Sequence, residues 1–236
     1  MHFSFGLVHR PFGQEFDAER VPTLPVPEVL PDTIITRRDL ATLASQVEQL
    51  DTAVGWILSA LDEAGLNDQT IVIFTTDHGV ALARHKHTLY DRGLRTALLL
   101  RNPSQISAGL RSDVLLSNTG LFPTLCELSG IPVPSCIHGR SFKALFHEGV
   151  YKPDEAIFSS VSWTRRSQQL HYCPARSIRT SRYKLIWNFT EIPCYLDSGY
   201  LGRHANDLDI IESWPLFGKP SPEFELYDLE QDPWEK

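Results

Sequence analysis

The apolar positions between residues 40 and 61 fall on one helical stripe. Leu40, Leu43, Val47, Leu50, Val54, Ile57 and Leu61 recur at spacings of 3, 4, 3, 4, 3 and 4. That repeat keeps side chains on one side of an α-helix. Thr36 is the expected N-cap, with Asp39 three residues on, and Gly65 suits the stop. Ahead of the helix, the apolar run Phe3–Val8 predicts a buried strand. Residues 10–35 carry five prolines, which predicts an extended surface segment, because proline fixes φ and removes a backbone donor. Further on, Thr70–Thr76 and Arg95–Leu100 predict strands on either side of a polar loop, residues 77–94. Thr119–Ser129 predicts a short helix stopped by Gly130 and Pro132. This order of strands and helices argues for an α/β fold with a mostly parallel sheet.

The pattern changes after residue 150. Short runs at Glu155–Trp163, Arg176–Thr180, Tyr183–Phe189 and Phe224–Leu229 are separated by turns. They predict a small antiparallel unit. Residues 195–222, rich in Gly, Pro, Asp and Tyr, read as an irregular insertion. The expected organisation is an α/β domain over 1–150 and an antiparallel subdomain over 151–236.

Composition narrows the function. An apolar content of 42 % over 236 residues supports a packed core and excludes a disordered chain. Lys and Arg number 22 against 29 Asp and Glu, a formal charge of −7. No basic run exceeds two residues, so nucleic acid is not an expected partner. No apolar stretch reaches the roughly 18 residues of a membrane span. Cys126, Cys136, Cys173 and Cys194 form no C-x-x-C pair, which argues against structural zinc. Cys126 lies in an apolar helical pattern, as a buried thiol would. Cys173 and Cys194 flank a predicted hairpin and could pair in an oxidising compartment. Asn188-Phe189-Thr190 is a glycosylation sequon inside a strand pattern.

The chemistry-bearing residues gather at predicted strand ends. Thr75-Thr76-Asp77-His78-Gly79 follows the apolar run Ile71–Phe74. In open α/β sheets, ligands bind beyond the carboxyl ends of strands. Asp77 and His78 could share one cation, or form an Asx turn beside a surface histidine. Arg84, His85, Lys86, His87 and Arg92 crowd the following loop. Such a cluster either focuses a field for an anion or is a solvated run. His9 follows Phe3–Val8 at another strand end, where an imidazole could protonate a leaving group. No G-x-S-x-G, phosphate-binding G-x-x-x-x-G-K-[ST] or G-x-G-x-x-G segment is present. Two protein ligands also fall short of the 6–8 oxygens, roughly, that calcium takes.

These residues resemble the type I sulfatases, the formylglycine enzymes of the alkaline phosphatase superfamily. Leu7–Phe12 resembles the family's strand ending in H-x-P-F, and Ile73–Gly79 its F-T-S-D-[HN]-G. Lys86–Arg95 resembles its K-x-x-x-Y-[ED]-x-G-x-R, and Ser177–Lys184 its I-R-T-x-R-Y-K hairpin. Glu225–Leu229 with Asp232, Pro233 and Glu235 resembles its closing E-L-Y-D-L-x-x-D-P-x-E. Arg10–Phe12, Arg38–Ala41 and Tyr183–Asn188 are similar to the heparan N-sulfatase branch. The resemblance implies a partial alkaline-phosphatase-like sandwich followed by the small antiparallel subdomain. It implies that Asp77 and His78 ligate a divalent cation, normally Ca²⁺. Lys86 then binds the sulfate group, and His9 protonates the departing oxygen or nitrogen.

The family's nucleophile, a cysteine in C-x-P-S-R converted to formylglycine, has no counterpart here, nor do its early paired aspartates. The expectation is therefore the second half of a sulfatase, inactive by itself. Its substrate would be a sulfated small molecule or glycan, and its compartment secreted, periplasmic or lysosomal. Two alternatives stand beside it: a phosphodiesterase or phosphonate hydrolase of the same superfamily, and a catalytically inactive sulfatase-like fragment.

Overall fold

The computed structural model describes residues 1–13, 16–146, 151–166, 169–191 and 220–236. The dominant element is α1, Ile34–Glu63. Its N-cap is Thr33, whose Oγ1 accepts from the Thr36 amide at 3.1 Å. Thr36, the expected cap, lies one turn inside. Its stop is as expected: Gly65 is left-handed at φ 66°. Its amide donates to the Asp62 carbonyl, and that of Leu66 to Leu61. The apolar stripe is half-buried along its length except at Val47. Leu40 and Leu43 pack into a core of Phe12, Val29, Leu30, Leu82 and Ala83, with Trp234 against it. Further along the helix, Val47 is exposed.

Strand β1, Val72–Thr75, pairs with β2, Leu98–Arg101. The pairing is antiparallel, Val72 opposite Arg101 and Thr75 opposite Leu98. Parallel pairing was the expectation for this region. The chain between these strands returns alongside β1, with only the four-residue helix α2, Asp91–Leu94, on the way. A parallel return needs a crossover of a dozen or more residues, usually helical. The predicted strand Phe3–Val8 is not one. No described strand pairs with it, so its amides have no ladder, and Phe3 and Phe5 are exposed. A turn closes it instead, the His9 amide donating to the Gly6 carbonyl.

Helix α3, Leu121–Leu128, buries Cys126 and Leu128. Four strands follow: β3 Ile157–Arg166, β4 Gln169–Arg179, β5 Tyr183–Asn188 and β6 Phe224–Asp228. They form one antiparallel sheet in the order β3-β4-β5-β6. The α/β class and this C-terminal sheet are as the pattern predicted. Alternation along the strands puts Ala175, Ile186 and Tyr227 on one face. There they form a core with Leu89 and Tyr90 of the 77–94 loop. That loop therefore sits between two cores, one built on α1 and the proline-rich segment, the other on the C-terminal sheet. The loop, for which a solvated run was one of two readings, is buried from Ala81 to His85 and from Thr88 to Tyr90. Leu82 and Ala83 are covered by α1 and the proline-rich segment, and Leu89 and Tyr90 by strands more than 80 residues later in sequence.

Two assignments meet the described boundaries. Cys194, which could pair with Cys173 in an oxidising compartment, lies outside the described residues. Most of the predicted insertion at 195–222 does too. Asn188 is described, and its Nδ2 donates to the Pro222 carbonyl at 2.9 Å and to Glu225 Oε1 at 2.7 Å. The nitrogen a glycan would use is thus committed to the sheet. No helix among the described residues is long and apolar enough to cross a membrane.

Candidate active site

The site grows from a crossing of two backbone segments. Gly79 donates its amide to the Gly93 carbonyl at 2.9 Å. A Cβ on Gly79 would lie 1.8 Å from the Arg92 carbonyl oxygen. One on Gly93 would lie 2.3 Å from the His85 carbonyl oxygen. Only glycine allows either approach. The crossing ties the end of β1 to the start of α2 and folds residues 80–90 into a tight excursion. Its neck is the Lys86 amide donating to the Val80 carbonyl.

Lys86 projects from that excursion to His9, 77 residues earlier in the chain. Lys86 Nζ lies 3.0 Å from His9 Nε2. An ammonium has donors and no lone pair. His9 Nε2 therefore accepts, and Nδ1 carries the ring proton, donated to the Arg10 carbonyl at 2.5 Å. Arg10 anchors this stretch. It is buried, with Nη2 on Asp39 Oδ2 of α1 at 2.5 Å, Nε on the Ala81 carbonyl at 2.7 Å, and its guanidinium 4.1 Å over the Phe12 ring. The stripe on α1 thus has a second use: Asp39, expected near the cap, holds the segment that carries His9.

Asp77 and His78 form the second pair. His78 Nε2 lies 3.4 Å from Asp77 Oδ2. His78 Nδ1 donates to the Gly79 carbonyl at 2.7 Å. With its proton fixed there, Nε2 turns a lone pair toward the carboxylate. Two electron-rich atoms so placed suit a cation between them. A carbonyl holding the other ring nitrogen is the usual support of a ligating histidine. The pair thus fits as part of a cation shell. It does not complete one: among the described residues no group of three or more His, Cys, Asp and Glu converges for a metal. Nor does any hydrogen bond among the described residues join Asp77 or His78 to His9 or Lys86.

Arg84, Arg92 and His85 of the loop pack against the fold. Arg84 is buried, stacks 4.1 Å over Tyr90, and donates to the Glu235 carbonyl. Arg92 stacks 3.9 Å over Trp234. Burial pushes the His85 imidazole down to about 4, aided by the charges of Arg92 and Arg84. Of the five basic side chains, Arg84, His85 and Arg92 are taken up in packing, and Lys86 is the one that meets His9.

Two buried polar clusters, absent from the sequence-based reading, hold the loop on the sheet. Lys184 Nζ of β5 contacts Asp91 Oδ1 at 2.8 Å and Glu235 Oε1 at 3.1 Å. Arg179 Nε lies 3.0 Å from Asp91 Oδ2. Burial would raise the Asp91 carboxyl, but Lys184 and Arg179 outweigh it and keep it below its ordinary value. Burial wins at Glu235, which is raised. In the second cluster Tyr90 and Tyr227 both donate to Glu225 Oε2, at 2.8 and 2.6 Å. Burial, with the Glu225 carboxylate beside them, raises both phenols. Lys184 stands at the inward parity of its strand beside Ile186 and Asn188, and Asp91, Arg179, Glu225 and Glu235 are otherwise marked only as positions of the family-like motifs.

Comparison with known proteins follows this geometry. Residues 7–131 match the sulfatase family, and residues 79–196 match the C-terminal region of N-sulphoglucosamine sulphohydrolase. An ulvan-active sulfatase of Formosa agariphila is 29 % identical over 89 % of this chain and 36 % of its own length. The human N-sulphoglucosamine sulphohydrolase is 30 % identical over 89 % of this chain and 45 % of its own. A solved structure in complex with its substrate D-glucosamine-2-N,6-O-disulfate superposes with a TM-score of 0.62 at 23 % identity. It covers 87 % of this chain and 38 % of the other. The chain spans between 29 % and 37 % of the length of three curated relatives that it matches.

Proposed function

The chain belongs to the sulfatase family, and from that premise we propose that it carries the sulfate-binding, leaving-group side of a centre hydrolysing sulfate esters or sulfamates. The observation that carries the reading is the 3.0 Å contact of Lys86 Nζ with His9 Nε2. A fixed ammonium and a fixed imidazole are thereby presented to one point.

Lys86 binds the anion. Its charge opposes the negative charge that builds on the sulfuryl oxygens as the bond to the leaving group stretches. The ammonium is already placed, so little reorganisation is needed when substrate arrives. His9 handles the proton. With Nδ1–H held by the Arg10 carbonyl, the ring exchanges its proton at Nε2, the atom facing Lys86. When Lys86 turns its ammonium to the sulfuryl oxygens, the freed Nε2 lone pair takes a proton from solvent, and that proton passes to the departing oxygen or nitrogen. Before that transfer the Arg10 carbonyl steadies the imidazolium by accepting from Nδ1–H. Arg10 and Asp39 fix the ring's position through a buried ion pair.

Asp77 and His78 would hold a divalent cation, Ca²⁺ by family resemblance. Such an ion adds positive charge against the transferred group. The family's formylglycine motif is absent from this sequence. The residues present bind and protonate, and none is placed as a nucleophile. The substrate class is a sulfated glycan or small molecule, as for the human relative whose name specifies an N-sulfated glucosamine.

The test is calorimetric titration of sodium sulfate into the chain at low ionic strength. Binding is expected near the millimolar range, roughly 4 kcal/mol, and Lys86→Ala should weaken it at least tenfold. Equal affinity in the two proteins would remove the sulfate site. Phosphate binding tighter than sulfate would favour the phosphodiesterase reading instead.

A further inference from the structure

We infer that Glu235 is a positioning residue for the Lys86–His9 pair, gripping the Lys86 loop at both ends. The inference rests on reading that pair as the sulfate site.

The backbone around the pair is held in an unfavourable conformation. The non-glycine residues with positive φ among the described residues are Val8 at 62°, Arg84 at 58°, His87 at 66° and Glu235 at 56°. Val8 immediately precedes His9, and Arg84 and His87 flank Lys86. L-residues persist in this region only where surrounding contacts over-determine them. Something must therefore hold the 84–91 segment against relaxation.

Glu235 supplies those contacts. Its backbone carbonyl accepts from the Arg84 guanidinium. Its side-chain Oε2 accepts from the Asp91 amide at 2.6 Å. Its Oε1 forms an ion pair with Lys184 Nζ at 3.1 Å without a hydrogen bond, and the same ammonium hydrogen-bonds the Asp91 carboxylate. One residue thus closes both ends of the segment in which Lys86 sits. Trp234, its neighbour, adds the stacking surface under Arg92 and joins the core of Phe12 and Leu82. Phe12 in turn lies under the Arg10 guanidinium. The contacts from Trp234 and Glu235 therefore reach both partners of the pair, Lys86 through the loop and His9 through Arg10. The side chains of Glu235 and Lys184 are fully buried, so water cannot substitute for either. Each side-chain partner of Glu235 either lies in the 84–91 loop or itself holds Asp91.

The test compares Glu235→Ala, Glu235→Gln and Leu128→Ala with the unaltered chain. Leu128 is buried in α3, away from the loop, and its truncation is the control for lost stability. Two readouts are taken. One is the nuclear Overhauser contact between the Lys86 ε-methylene protons and the His9 ring. The other is the affinity for sodium sulfate. Glu235→Ala is expected to abolish the contact and weaken sulfate at least tenfold. Glu235→Gln keeps an acceptor for the Asp91 amide and should restore most of both. Leu128→Ala should alter neither. An unchanged contact in folded Glu235→Ala overturns the inference. An equal loss in Leu128→Ala also overturns it, since the effect would then be general loosening. If Glu235→Ala does not fold, Glu235→Asp takes its place. It is one methylene too short to reach the Asp91 amide and Lys184 together, and an unchanged contact there overturns the inference as well. A chain that shows the contact but binds no sulfate sinks the sulfate reading alone. The Overhauser arm still decides the role of Glu235.

Discussion

Replacing Lys184 with methionine removes the one cation shared by Asp91 and Glu235, 2.8 and 3.1 Å away. The shape is roughly kept and the charge is lost. Breaking a buried pair from one side costs about 3–5 kcal/mol, because a buried charge is left uncompensated. Two effects place this case at the lower end. Arg179 still holds Asp91 at 3.0 Å. Glu235, already raised by burial, can take up a proton and shed its charge. About 3 kcal/mol remains, worth a fall in Tm of roughly 6–12 °C for a chain of this size. Urea unfolding followed by circular dichroism gives the free energy, provided the transition is two-state. The double variant Lys184→Met, Glu235→Gln loses both charges together, and well-packed neutral replacements of buried pairs are often tolerated. It should therefore be more stable than Lys184→Met alone, by about 2 kcal/mol. The reasoning is refuted if Lys184→Met costs under about 1 kcal/mol. It is equally refuted if the two substitutions simply add.

Three further outcomes follow from other parts of the molecule. His85 has a folded value of about 4 against an ordinary 6.5, so the unfolded chain binds the additional proton between those values. Its contribution is present above pH 6.5 and is lost as pH falls toward 4, at most about 3 kcal/mol; His85→Gln should flatten that part of the stability–pH curve, and an unchanged slope would assign it elsewhere. Gly79→Ala places a Cβ 1.8 Å from backbone, where no side-chain movement relieves it. A loss of about 3 kcal/mol is expected, read by denaturation, and a neutral result would show that the crossing can open. Expressed through a eukaryotic secretory pathway, the chain should carry no glycan at Asn188, because Nδ2 is bound to Pro222 and Glu225; a mass shift on enzymatic deglycosylation that Asn188→Gln abolishes would contradict this.

The sequence exposed the local elements well and the long-range packing poorly. The 3-4 spacing of α1 and the alternation of the C-terminal strands are short-range signals; α1, β3, β5 and β6 formed within a few residues of expectation, while β4 begins seven residues before the predicted Arg176. His9 and Lys86 were both singled out, yet partly for a reason the structure does not support. His9 was placed at the end of a strand, and Phe3–Val8 has no ladder partner among the described residues. What presents His9 is a left-handed Val8 and the buried Arg10–Asp39 pair, and neither has a periodic signature. The loop after His78 misled for a different reason. Arg84 and His85 look solvated in any short window, and only the closing strand and turn, with Glu225, Trp234 and Glu235, bury them. Polar residues paired across 90 to 150 positions are invisible to periodicity. Lys184, fully buried inside a β-strand, is the clearest example.

Under the proposed function His9 and Lys86, brought to 3.0 Å from distant parts of the chain, act as one anion site. The most direct measurement is a double-mutant cycle on sulfate affinity, with His9→Ala, Lys86→Ala and both together. A single shared site predicts strong coupling: either substitution removes most of the binding, and the double variant loses little more than the worse single. Independent losses that add, or affinity unaltered by either change, would contradict it.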